Sequence, residues 1–162
     1  IGEFIMPAKI IHIYDMDGVL ANSEHRYRII PETGKIDLQH WRDNEHLAYQ
    51  DKPGPLFKQY QDNLKNPDIA VIIATARVLN DPDKCWIRDK LGTPNAIVSR
   101  RGNTDTRGGA ELKIKGLKRL LNLRPFKVHS DMVMFEDNIS YLKAICDYFK
   151  CRGVYVPSNQ GH

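Results

Sequence analysis

The stretch IIHIYDMDGVLAN, residues 10–22, decides the fold of this 162-residue chain. An apolar run typical of a buried strand leads directly into two aspartates, Asp15 and Asp17, and then into Gly18. Carboxylates at the end of a buried strand repel each other and lose hydration, so the fold must supply a compensating positive charge. The pattern favours a bound cation.

Similar apolar runs recur along the chain and are separated by helical patterns. Buried strands are predicted over residues 9–15, 69–75, 95–100, 132–137 and 153–157. Strands that alternate with helices at this spacing predict right-handed βαβ units and a doubly wound parallel sheet of the α/β class. We expect one domain over residues 6–162, with a small cap-like insertion over 21–66, preceded by an expression-vector remnant over 1–5.

Composition excludes several classes of protein. Hydrophobic residues make up 41% and charged residues 27% of the chain, and no apolar run approaches the roughly 20 residues that cross a bilayer. Three cysteines without CxxC spacing argue against a disulfide framework and a zinc site, so we expect a reducing, cytoplasmic setting. The net charge of +4 permits a polyanionic partner without requiring one.

Acidic and hydroxyl side chains stand at the ends of the predicted strands. Asp15 and Asp17 follow the first strand, Thr75 ends the second, and Glu136 and Asp137 end the fourth. In a doubly wound sheet, ligands bind at the carboxyl ends of the strands, where these side chains would meet. The sequence therefore predicts a Mg²⁺ site formed by Asp15, Asp17 and Asp137, with Glu136 as a further candidate.

These residue types suit transfer of a phosphoryl group. Asp15 is the candidate nucleophile that would form an aspartyl-phosphate, and Asp17 would protonate the leaving group and then activate water. Thr75 with nearby backbone N–H groups, together with Lys113, would hold the phosphoryl oxygens. Lys115 is the alternative to Lys113 for binding the phosphoryl oxygens.

The order of four motifs resembles that of the haloacid dehalogenase (HAD) superfamily. The motifs are DMDGVL (15–20), ATAR (74–77), Lys113 in ELKIKGLKRLL (111–121) and FEDN (135–138). The resemblance implies a magnesium-dependent phosphatase or phosphotransferase, with Asp15 as nucleophile, Asp17 as acid and base, and Asp137 on the metal.

A closer resemblance is to the 3′-phosphatase domains of phage polynucleotide kinases and related RNA-repair phosphatases, on the basis of ATAR and RRGNTDTRGGAELK (100–113). It implies that Arg26, Ala76, Arg77 and Arg107 join Thr75 and Lys113 in binding the substrate phosphate. Those relatives carry acidic residues directly after DTR, where this chain has two glycines and an alanine. Asp105 or Glu111 is left as the group that would brace Lys113 or an arginine.

Three functions follow as hypotheses. The first is a Mg²⁺-dependent phosphomonoesterase that removes the 3′-phosphate from nucleic acid ends or nucleotides. The second is a small-metabolite phosphatase or 5′(3′)-nucleotidase, and the third is a non-catalytic module that binds nucleic acid ends. The expected partner is a phosphorylated nucleic acid end or nucleotide, and neither a membrane nor a protein partner is inferred.

Overall fold

The structure is a computed structural model that describes residues 10–158, so the segment interpreted as a vector remnant, 1–5, lies outside the described residues. Short 3₁₀ turns lie at Glu24–Arg26 and Glu45–Gln50, and a π-helical turn lies at Ile87–Leu91, directly after the helix Asp81–Trp86. In chain order the elements are β1 (Ile10–Tyr14), β2 (Ala21–Asn22), α1 (Leu38–Asp43), β3 (Lys52–Pro53), α2 (Phe57–Leu64), β4 (Ile69–Val78), α3 (Asp81–Trp86), β5 (Ala96–Arg100), α4 (Gly109–Leu121), α5 (Arg124–Lys127), β6 (Asp131–Glu136), α6 (Ile139–Phe149) and β7 (Arg152–Tyr155).

The predicted doubly wound parallel sheet is confirmed. Its strands lie in the order β5-β4-β1-β6-β7, and every neighbouring pair is parallel. At the carboxyl end of the central strand, Tyr14 pairs with Ile73 of β4 and Phe135 of β6. The next backbone N–H, that of Asp15, donates to the Phe135 carbonyl at 2.9 Å. Asp15 is therefore held at the middle of the rim where ligands bind.

Successive side chains of a strand point to opposite faces of the sheet, so the apolar residues of the strands form a hydrophobic core on each face. Ile11 and Ile13 pack with α4 and α6 through a cluster that includes Leu117 and Ile145. Tyr14 faces the other way, into a cluster with Tyr60 and the helical segment 81–91. Both faces of the sheet are covered, which fixes the positions of its strand ends.

The cap-like region follows the turn after β1. β2 and β3 form a short antiparallel hairpin, and α1 and both 3₁₀ turns lie between them in the chain. Within this region α1 is followed directly by the second 3₁₀ turn. The boundaries of the insertion, 21–66, stay a prediction. Among the described residues, none of the helices is long and apolar enough to span a bilayer.

Candidate active site

One small cavity at the rim gathers most of the predicted site residues. Its volume is about 120 Å³, and two of its lining residues, Asn138 and Tyr141, were not predicted. The predicted residues that line it are Asp15, Asp17, Thr75, Ala76, Arg77, Lys113, Glu136 and Asp137. We call it the phosphate pocket. Residues from the ends of β1, β4 and β6 and from the helices α4 and α6 thus converge, and two of them, Asp15 and Lys113, are 98 positions apart in the chain.

Lys113 is buried and ion-paired in the pocket. α4 carries its ammonium nitrogen to 3.0 Å from Asp15 Oδ1 and 2.5 Å from Glu136 Oε1. Burial acts to lower the pKa of Lys113, but the two carboxylates outweigh it and raise that pKa above its ordinary value. Lys115 instead pairs with Glu111 on the exposed face of the helix. The geometry favours Lys113 over Lys115 for contact with a bound phosphate.

Asp105 braces an arginine, Arg107, which agrees with one of the expected alternatives, and neither Asp105 nor Glu111 braces Lys113. Glu136 braces that lysine: it takes the Lys113 ammonium on Oε1 and the backbone N–H groups of Asp137 and Asn138 on Oε2, at 2.9 and 3.2 Å. Glu136 is fully buried. The sequence contained this signal only as a second carboxylate in FEDN, which was interpreted as a candidate metal ligand.

Packing explains why the second of the two residues after DTR, Gly109, is a glycine. A Cβ there would lie 2.5 Å from Cζ of the Tyr141 ring, which forms part of the pocket wall. The Lys113 ammonium also lies 5.5 Å from the centre of that ring. Close approach of α4 to α6 therefore excludes an acidic side chain from this position.

Three carboxylates could share a metal ion. Oxygen atoms of Asp15, Glu136 and Asp137 lie within 4.8 Å of one another, and all three residues are buried. Burial acts to raise the pKa of Asp15, but the Lys113 charge and neighbouring hydrogen bonds lower it to about 2. Burial and the nearby Asp15 raise the pKa of Asp137 to about 7. A cluster of buried oxygen donors with excess negative charge fits a hard divalent cation such as Mg²⁺.

Asp17 is in the pocket but its carboxylate lies outside that cluster. Arg77 donates to it twice, from Nε to Oδ2 at 2.5 Å and from Nη2 to Oδ1 at 3.2 Å. Both of its oxygens are bound by the guanidinium in this arrangement, and the assignment of Asp17 to the metal set stays a prediction. Arg77 also pairs with buried Asp83 at 2.8 Å.

Arg26 is placed away from the phosphate pocket, which corrects its assignment to phosphate binding. Its Nε and Nη2 donate to the two oxygens of Asp51 at 2.8 and 3.0 Å, and its guanidinium lies 4.2 Å from the centre of the Trp41 ring. Nη2 is 3.8 Å from Asp83 Oδ1. Arg26 therefore contributes to a buried ion-pair network that reaches Arg77 through Asp83, and does not line the pocket itself.

Arg107 lies outside the phosphate pocket, and its part in binding the substrate phosphate stays a prediction. It pairs with Asp105, whose Oδ2 lies 2.8 Å from Nη2. Arg101, Arg107 and Arg119 instead line two adjoining cavities beside β5 and α4, of about 290 and 470 Å³. We call this surface the arginine groove. Arg100 joins it to the pocket wall by donating to the carbonyls of Ala76 and Arg107.

Comparison with known proteins agrees with the fold and the motifs. A family described as bacteriophage T5 5′-deoxynucleotidase matches residues 5–106, more than half of the chain. The match ends before Lys113 and Asp137, so the placement of these two residues rests on the geometry alone. No curated protein matches the chain.

Solved structures with the same fold are distant in sequence. A protein in the Pnkp1/Rnl/Hen1 complex is 16% identical with a TM-score of 0.66, over 96% of this chain and 47% of that one. The chain thus spans about half the length of that protein. A protein described as a haloacid dehalogenase-like hydrolase, from Burkholderia xenovorans LB400, is 14% identical with a TM-score of 0.57, over 96% and 84%.

The rim position of the motifs and the shared fold both agree with the family match. The expected HAD-type fold is confirmed, since both solved structures share it. The chain therefore belongs to the bacteriophage T5 5′-deoxynucleotidase family.

Proposed function

We propose that the chain is a Mg²⁺-dependent phosphomonoesterase that hydrolyses the phosphate ester of a nucleotide through an aspartyl-phosphate on Asp15. The observation that carries this proposal is the buried ion pair of Asp15 with Lys113, beside the Glu136 and Asp137 carboxylates. A carboxylate kept ionised at the centre of the rim is a nucleophile, and the neighbouring ammonium is the cation that a phosphoryl group needs.

Residues of the chain account for each part of the reaction. An Asp15 oxygen forms a bond to phosphorus as the ester P–O bond breaks, and water later hydrolyses the resulting acyl phosphate. Lys113, the Thr75 hydroxyl and the Ala76 backbone stabilise the phosphoryl oxygens. A divalent ion held by Asp15 and Asp137, with Glu136 beside them, would neutralise their charge and that of the incoming phosphate.

Asp17 is proposed as the acid that protonates the leaving oxygen. Both of its oxygens are bound by Arg77, and a carboxylate in such a pair does not donate a proton. An incoming phosphate offers Arg77 a competing anion inside the same pocket, with Asp83 holding the other side of the guanidinium. Exchange of Arg77 from Asp17 to the phosphate would free Asp17 for proton transfer.

The family match favours a deoxynucleoside 5′-monophosphate as the substrate. The arginine groove supports a second candidate, the 3′-phosphate of a nucleic acid end, because Arg101, Arg107 and Arg119 face it against one acidic lining residue, Asp105. Binding of a strand in that groove would weaken steeply with salt.

Phosphate release tests both candidates. The panel is nucleoside 5′- and 3′-monophosphates and oligonucleotides phosphorylated at either end, each with and without Mg²⁺. We expect release that requires Mg²⁺ and is lost in Asp15→Asn. Failure of the folded wild type to release phosphate from any of these esters would overturn the proposal, and release from oligonucleotides alone would favour the second candidate.

A further inference from the structure

A second cavity adjoins the phosphate pocket. It has a volume of about 590 Å³ and is walled by the turn after β1, the β2–β3 hairpin and the segment after β7. Ser158 lines it and donates to Asp137 Oδ2 at 2.8 Å. Gly18 lines it too, and a Cβ at Gly18 would lie 2.3 Å from that same oxygen. Only a glycine and a serine thus separate this cavity from the carboxylates that face the phosphate.

The phosphate pocket is too small to hold a whole substrate, so the rest of the substrate must bind beside it. At about 120 Å³ it is well below the roughly 300 Å³ at which pockets begin to enclose whole ligands. It has room for the phosphoryl group, and the group to which the phosphate is esterified must lie outside it. The adjoining cavity is large enough for a nucleoside.

The charge of the adjoining cavity restricts that group. Glu24 is its single charged lining residue, and neither Lys nor Arg faces it among the residues described. A second phosphate, as in a polynucleotide strand or a nucleoside bisphosphate, would meet a carboxylate with no cation to offset the repulsion. The group that occupies the cavity is therefore uncharged.

The remaining lining residues suit a flat, polar-edged ring. The Tyr155 side chain is 47% exposed at the end of the edge strand β7, so its ring is open to stacking. Asn22 Oδ1 accepts the Glu24 N–H at 3.0 Å, which orients the amide and leaves its NH₂ to donate. The Glu24 carboxylate accepts hydrogen bonds. An aromatic face beside one donor and one acceptor matches a nucleobase better than a sugar.

We propose that this cavity is the nucleoside subsite of the enzyme, with the base stacked on Tyr155 and its edge hydrogen-bonded by Glu24 and Asn22. The proposal rests on the proposed phosphatase function and deepens it, because it names an isolated nucleoside monophosphate, rather than a polynucleotide end, as the substrate. Glu24 favours bases that present amino or imino N–H groups to it.

The test compares deoxynucleoside 5′-monophosphates with 2-deoxyribose 5-phosphate, which carries the same ester without a base. We expect Tyr155→Ala to lower kcat/KM for the nucleotides by about 10-fold or more, as loss of a stacked base predicts, and to change hydrolysis of the sugar phosphate less than about twofold. Glu24→Gln is expected to alter the order of preference among the four bases.

Tyr148→Ala is the matched control, since Tyr148 is 50% exposed on α6 and does not line the cavity. Equal losses for nucleotides and sugar phosphate in Tyr155→Ala, or no loss for either, would overturn the subsite. If the wild type hydrolyses none of these esters, the phosphatase proposal fails by itself. Calorimetric titration of deoxynucleotides then decides the subsite: unchanged affinity in Tyr155→Ala refutes it.

Discussion

The side chains of Asp15 and Lys113, 98 positions apart in the sequence, meet in a buried ion pair with 3.0 Å between Oδ1 and Nζ. β1 fixes one partner and α4 the other, and Glu136 at the end of β6 accepts from the same ammonium. Three separate elements must therefore dock correctly before the pocket has its charge balance. The proposed catalytic centre thus depends on the packing of β1, β6 and α4 against one another.

Replacement of Asp15 by Asn is expected to abolish phosphate release. The amide has nearly the shape of the carboxylate but is a far weaker nucleophile, so we expect a loss of at least about 10³-fold in kcat. Initial-rate assays measure the loss, and near-ultraviolet circular dichroism checks that the variant is folded. Activity within tenfold of the wild type would exclude Asp15 as the nucleophile.

Lys113 and Lys115 lie two positions apart on α4 and make a natural comparison. Lys113→Met leaves buried Asp15 and Glu136 without their cation, so we expect a loss of about 3–5 kcal/mol in the free energy of unfolding and a loss of activity. Lys115→Met removes an exposed pair with Glu111 and should change stability by less than about 0.5 kcal/mol. Urea unfolding and phosphate release measure both, and similar effects at the two positions would contradict the assignment.

Mg²⁺ should stabilise the protein more at pH 8 than at pH 5.5. The raised pKa of Asp137, about 7 in the metal-free fold against 3.8 ordinarily, means that its contribution to stability is complete below about pH 3.8 and is lost as the pH rises through 7. A metal ion competes with that proton, so Mg²⁺ should bind more tightly as the pH rises through 7, with a further gain as Glu136, whose pKa burial and Asp15 raise to about 9, loses its proton.

Thermal unfolding with and without Mg²⁺ at the two pH values measures this effect. Asp137→Asn serves as the control, since it removes the group that titrates near pH 7 and should reduce the pH dependence to the part that is due to Glu136. A Mg²⁺-induced rise in Tm that is the same at both pH values would show that Asp137 does not exchange a proton for the metal.

Arg26→Met should reduce stability rather than weaken phosphate binding. The substitution strips the buried Asp51 carboxylate of both guanidinium hydrogen bonds, which costs about 3–5 kcal/mol in the free energy of unfolding. The KM of the folded fraction should stay within about twofold of the wild type, because Arg26 does not line the phosphate pocket. A tenfold rise in KM with unchanged stability would restore Arg26 as a phosphate ligand.

Gly18 and Gly34 both have positive φ, +83° and +70°. Alanine variants at these two positions separate the cost of the left-handed backbone from the cost of a steric clash. At Gly34 a Cβ meets open space, so Gly34→Ala should cost only the left-handed conformation, about 1 kcal/mol. At Gly18 the Cβ would also lie 2.3 Å from Asp137 Oδ2, so Gly18→Ala should be costlier and should weaken Mg²⁺ binding. Equal unfolding free energies and metal affinities for the two variants would contradict this.

The strand ends could be predicted because a parallel sheet places its carboxyl ends at one rim. Asp15, Thr75 and Asp137 follow apolar runs whose burial needs no tertiary information to anticipate. The family resemblance could likewise be identified from short motifs in their order. The positions of two arginines could not be predicted in this way. Arg26 and Arg107 were both assigned to phosphate binding, and neither of them lines the phosphate pocket.

The sequence by itself determined the doubly wound sheet, the position of the acidic rim and the HAD-type motifs, since each is set by local periodicity and chain order. Only the tertiary structure decided which charges neutralise one another. Arg26 is bound by Asp51, Asp17 by Arg77, and Lys113 by Asp15 and Glu136. Ion pairs of long side chains depend on distances of a few ångströms across separate elements, and no spacing in the chain encodes those distances.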